Sequence, residues 1–100
     1  MKGVLEPTDD GGVLFCCPGC DMLHVVYVVA KGGRPVWTFN GDIVRPTFSP
    51  SVLAKYPWGK SKEEKVCHSF INDGRIQYLT DCTHHLAGKT VDLPAWDSAF

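Results

Sequence analysis

Apolar residues fall in short runs along this chain, cut by glycine and proline, and no run keeps a helical period. Val13-Leu14-Phe15-Cys16-Cys17 predicts a strand, and Leu23 to Ala30, rich in valine and tyrosine, predicts the next. Lys31-Gly32-Gly33-Arg34 predicts a hairpin turn, because paired glycines supply the positive φ of a primed turn. Pro35 to Phe39 is expected to return as a strand, with Val36 and Thr38 facing away from Trp37 and Phe39. Arg45-Pro46-Thr47-Phe48-Ser49-Pro50-Ser51 excludes helix and predicts stiff, extended backbone. Lys55 to Lys65, polar and holding Pro57 and Gly59, is expected to be a mobile surface loop. Val66 to Ile71 and Arg75 to Leu79 flank Asn72-Asp73-Gly74, a hairpin signal. Asp81 is placed to cap a helical turn over Cys82 to Leu86, ended by Gly88.

The pattern predicts a mostly β protein. It is a small antiparallel β domain built around a zinc-ribbon-like cysteine knuckle, with one short helical turn. A chain of 100 residues is expected to be one domain, with 1–12 as a loose leader and 95–100 as an irregular tail. At this size the core is thin, and a metal cross-link would strengthen it. The net charge of -1 offers no field for nucleic acid or an anionic membrane surface. Met22 to Ala30, the longest apolar run, is too short to span a bilayer, and no secretory signal precedes it. The expected compartment is the cytoplasm.

The cysteines bring in chemistry. The chain holds 5 of them, an odd number that argues against a disulfide framework in a chain without a leader. Cys17-Pro18-Gly19-Cys20 turns two sulfurs toward one point, and Cys67 and Cys82 bracket the second hairpin. Together they suit a closed, tetrahedral, structural zinc site, with Cys16 as a bystander. In the competing arrangement Cys67 or Cys82 is a buried thiol, and His24, His68 or His84 ligates instead. No glutamate stands where a zinc hydrolase would need its base, so metal-centred hydrolysis is disfavoured.

Cys67 and His68 are adjacent on an expected strand and should face opposite ways. His68, turned from the sulfurs, is available as a base. Ser51, in the stiff Pro-Thr-Phe-Ser-Pro-Ser stretch, is the best nucleophile, followed by Ser49 and Ser69; Asp81 or Asp73 could orient the histidine.

The series Cys17-Pro18-Gly19-Cys20, Trp37 to Asn40, Pro46-Thr47-Phe48-Ser49-Pro50-Ser51 and Cys67-His68-Ser69-Phe70-Ile71, with Asp73-Gly74 following, resembles a bacterial and phage family. Much of that family is known only as a domain of unknown function. Some relatives belong to Bub-type operons for ubiquitin-like conjugation and look like zinc-containing serine peptidases. The resemblance covers about residues 13–94. It implies Ser51 as nucleophile, a histidine in the segment after Cys67, and the tail of a ubiquitin-like protein as substrate. Relatives read Cys-x-Ser-His-Phe, so the histidine here stands two positions nearer the cysteine, and His24, His68 and His84 all stay open as base.

The leading expectation is a zinc-stabilised serine peptidase using Ser51, His68 and Asp81, with Cys17, Cys20, Cys67 and Cys82 on the metal. Its partner is a protein or peptide substrate, without nucleic acid or membrane. The competing expectation is a non-catalytic zinc-binding module that docks on a protein, for instance a phage accessory factor.

Overall fold

The computed structural model describes residues 3–96 and arranges them almost wholly as antiparallel strands and turns. The first sheet joins β1 (Glu6–Pro7), β2 (Gly12–Cys17) and β3 (Met22–Tyr27) in that order. β2 and β3 pair from Gly12↔Tyr27 to Cys17↔Met22. The knuckle is the turn between them, closed by the Asp21 amide donating to the Cys17 carbonyl at 2.8 Å.

The Lys31–Arg34 turn forms, with Gly32 and Gly33 at φ 63° and 77°. The returning chain is less regular than its alternation predicts. Only β4 (Thr38–Phe39) is a strand, and it pairs with β5 (Phe48–Ser49) rather than with β3. Phe39 and Phe48 stack there at 5.0 Å between ring centres. The Asn40 side chain ties the intervening loop, accepting from the Asp42 and Thr47 amides and donating to the Arg45 carbonyl.

The third sheet runs β6 (Val52–Trp58), β7 (Glu63–Asn72), β8 (Arg75–Tyr78) and β9 (Thr90–Asp92). It corrects the expected Lys55–Lys65 loop: β6 and β7 form one long hairpin through that segment, turning only at Gly59–Lys62. Pro57 is tolerated for a reason of parity. Val66 and His68 turn their backbone groups away from β6, toward residues 79–83. Their partners Lys55 and Leu53 therefore face the outer edge, and so does Pro57, where the ladder needs no N–H. The Asp73-Gly74 turn of the β7–β8 hairpin has both residues at positive φ, as the sequence predicts.

The loose leader also needs correction. Val4 and Leu5 are core residues, and the Val4 amide bonds the Ile43 carbonyl at 2.7 Å. At the other end Leu93 is buried and the Trp96 amide reaches Gly3; residues 97–100 of the expected tail lie outside the described residues. After Asp81 the chain makes successive hydrogen-bonded turns rather than a regular helix. The core gathers Phe15, Val26, Phe48, Val52, Ile71, Ile76 and Tyr78 with the Cys17 and Cys67 thiols. Among the described residues no helix is long and apolar enough to cross a membrane.

Candidate active site and metal centre

Strand alternation sends successive β7 side chains to opposite faces. Cys67 points into the core and His68 points outward, half-buried. The His68 Nε2 lies 3.0 Å from the Ser51 Oγ, and its Nδ1 lies 3.0 Å from the Asp81 Oδ2. A neutral imidazole protonated on Nδ1 satisfies both contacts: it donates to the carboxylate and accepts from the serine hydroxyl. The side chains of His68 and Asp81 are 25% and 56% exposed, so solvent reaches the group.

Ser51 is held from two directions. The Trp37 indole N–H donates to its carbonyl at 3.1 Å. Upstream, the Thr47 hydroxyl donates to the Asn72 side chain and accepts the Asp73 amide, while the Gly74 amide bonds the Pro46 carbonyl. The proline-rich stretch is thus pinned to the tip of the β7–β8 hairpin, and the serine leaves it directly into β6. Asp73 sits at that tip, paired with Arg45, away from the imidazole. Ser49 is exposed, and Ser69 is buried with no partner for its hydroxyl.

On the other face Cys17, Cys20, Cys67 and His84 bring their ligand atoms within 4.8 Å of one another, close enough to hold a metal ion. Three thiolates and an imidazole are a zinc-type donor set. Two observations fit that use. The His84 Nε2 is buried without a hydrogen-bond partner. A Cβ on Gly19 would stand 2.3 Å from the His84 ring, so only glycine lets the knuckle close on it. Burial pushes His84 down, toward the neutral form a metal requires. The neighbouring Cys20, then Cys67, with His24 and Tyr78 adding to them, hold Cys17 far below the ordinary thiol range. Cys67 is pushed up by its contact with that charged sulfur. Burial lowers His24, but the Cys17 and Cys20 sulfurs outweigh it and lift the imidazole to about 9. Behind the ligands, Tyr78 accepts the Gly19 amide at 3.0 Å and lies 3.1 Å from the Cys17 sulfur. Such outer contacts orient a ligand and spread its charge.

Cys82, expected as the fourth ligand, stands elsewhere. Its sulfur contacts the main chain of His68, and His84, two residues later, takes the place beside the other three sulfurs. Spacing alone could not choose between them, because the choice depends on how the turns after Asp81 fold over β7. Cys16 faces away from the group, and no cysteine is in a disulfide.

The profile of a family described as bacterial ubiquitination-like system serine protease (BubE) matches residues 2–79. The chain belongs to the BubE family. No curated protein and no solved structure matches it. The part shared with the BubE profile contains Ser51, His68 and the sulfurs of Cys17, Cys20 and Cys67. Asp81 and His84 follow its end, so the carboxylate bonded to His68 and the fourth side chain of the possible metal group come from the segment beyond.

Proposed function

We propose that this chain is a serine peptidase held together by a structural zinc ion, and that it processes the flexible tail of a ubiquitin-like or similar protein substrate. One observation carries the reading: the Ser51, His68 and Asp81 side chains are linked at 3.0 Å and 3.0 Å, the connectivity of a nucleophile, its base and an orienting carboxylate. Ser51 attacks the scissile carbonyl as its proton passes to the His68 Nε2. The Asp81 carboxylate holds the Nδ1–H and stabilises the imidazolium. His68 then returns the proton to the leaving amine, and water hydrolyses the acyl-serine by the same route. Membership of the BubE family supports a protein substrate.

Leu53 lies directly opposite His68, and Phe70 follows on the same face; they are 48% and 43% exposed. They suit apolar residues beside the cleaved bond. An open depression of about 500 Å³, floored by Gln77, Leu79 and Thr80, reaches His68 and Asp81. A shallow site of this kind fits an extended chain end better than an enclosed small molecule. Cys17, Cys20, Cys67 and His84 would hold the zinc, which when bound supplies cross-linking of the knuckle to β7 and no reaction step. Free thiols in such a site suit a reducing compartment, as in the cytoplasm.

The test is cleavage of a ubiquitin-like protein carrying a C-terminal extension, followed by intact mass. Loss of the extension with wild-type chain, and not with Ser51→Ala, is expected; equal cleavage by both overturns the assignment.

A further inference from the structure

We infer that Cys82 is a positioning residue for the His68–Asp81 pair, its thiol replacing the strand backbone that β7 lacks at His68. The inference rests on the serine-peptidase reading and concerns how that site is held.

β8 pairs with β7 only over Ser69 to Asn72. Beyond it, the edge of β7 at Val66 and His68 is covered by Leu79 to Thr83, which is not a strand. Backbone bonds serve the carbonyls: the Leu79 amide donates to His68 and the Thr83 amide to Val66, each at 2.9 Å. The amides are served by side chains. The His68 N–H donates to the Cys82 sulfur at 3.2 Å, and the Val66 N–H donates to the Thr83 hydroxyl at 3.0 Å. The Cys82 thiol also donates back to the His68 carbonyl at 3.1 Å.

Cys82 is 8% exposed, outside the metal group and free of disulfide, and its sulfur makes these two hydrogen bonds to the His68 main chain. It grips the residue that carries the imidazole, and it directly follows the residue that carries the carboxylate. Asp81 needs that help: its side chain is more than half exposed, and among the described residues the His68 imidazole is the one side chain it bonds. The group at 82 must accept and donate at once. A thiol or hydroxyl can do both, and alanine can do neither.

The readout is the rate of labelling by a fluorophosphonate, with maximal rate and half-saturating concentration measured separately. Cys82→Ala is expected to lower the maximal rate about tenfold, a fraction of what a general base contributes. Half-saturation and metal content stay unchanged. Cys82→Ser, which keeps donor and acceptor, recovers most of the rate. Asp81→Ala costs much less in the Cys82→Ala background than in wild type, because the two act on one imidazole. Cys82→Val, which fills the space without either function, repeats the measurement should alanine destabilise the fold. Wild-type labelling by Cys82→Ala and Cys82→Val, or costs that simply multiply with Asp81→Ala, overturns the inference and leaves the peptidase reading intact. A wild-type chain that takes no label overturns both.

Discussion

Cys67 and His68 are adjacent on β7 and belong to different sites: the Cys67 sulfur sits within the metal-ligand group, and the His68 imidazole lies 3.0 Å from the Ser51 hydroxyl. One strand therefore separates the two by its own thickness. The metal group closes the knuckle against β7 from inside, while the relay lies on the outer face with solvent access. On the proposed reading, loss of the metal would act on catalysis through the fold, and loss of the Ser51–His68–Asp81 relay would leave the metal untouched.

The metal prediction follows directly. Elemental analysis is expected to find one zinc per chain. Cys20→Ser and His84→Ala each lower the melting temperature by at least ~10 °C, since metal binding supplies folding free energy. Cys82→Ser retains the metal. A Cys82 variant that loses zinc while His84→Ala keeps it would reverse the ligand assignment.

The relay predicts graded losses in cleavage. Ser51→Ala and His68→Ala remove it altogether. Asp81→Asn costs on the order of 10²–10⁴-fold in kcat, because the imidazole keeps its place beside Ser51 but the neutral amide can donate to Nδ1, favours the wrong tautomer and no longer stabilises the imidazolium. Asp73→Asn, which alters only the hairpin-tip ion pair, leaves kcat within about twofold, as expected of an exposed pair. Steady-state kinetics on the four variants decide it.

Trp37 is expected to matter through one hydrogen bond. Trp37→Phe keeps an aromatic ring and removes the donor to the Ser51 carbonyl, a loss of about 1 kcal/mol in stability. The accompanying fall should be in kcat rather than KM. Denaturant unfolding and kinetics on the same preparation check both.

The loop before Ser51 has its own pH signature. The Arg45 and then the Val44 amides donate to the Asp42 carboxylate and hold it below its ordinary value of 3.8. A depressed carboxylate contributes order that is complete above its unfolded value and lost as pH falls through the folded one. The Val44 and Arg45 amide resonances should therefore shift with a midpoint below 3.8. A midpoint at or above that value contradicts the bonding.

Much of the site was legible because strands have a period of two. Alternation alone put Cys67 and His68 on opposite faces. Standing one residue after Cys67, the histidine takes the outer face, where its Nε2 lies 3.0 Å from the Ser51 hydroxyl. The Asp73-Gly74 turn and the stiffness before Ser51 were likewise local properties. What was not legible depended on tertiary pairing. Pro57 and the charges around it read as a loop because an outer-edge position, where proline costs nothing, shows only once β7 is in place. Val4 and Leu5 looked like a leader because two apolar residues carry no period. The exchange of Cys82 for His84 lay in turns whose course over β7 no spacing rule predicts.

The most direct test of the central claim is the site of fluorophosphonate attachment, read by mass spectrometry of the labelled chain. The account predicts a single adduct on Ser51 in the wild-type protein, and none in Ser51→Ala or His68→Ala. An adduct that persists in Ser51→Ala, or a folded, metal-loaded wild-type chain that takes no label, contradicts it.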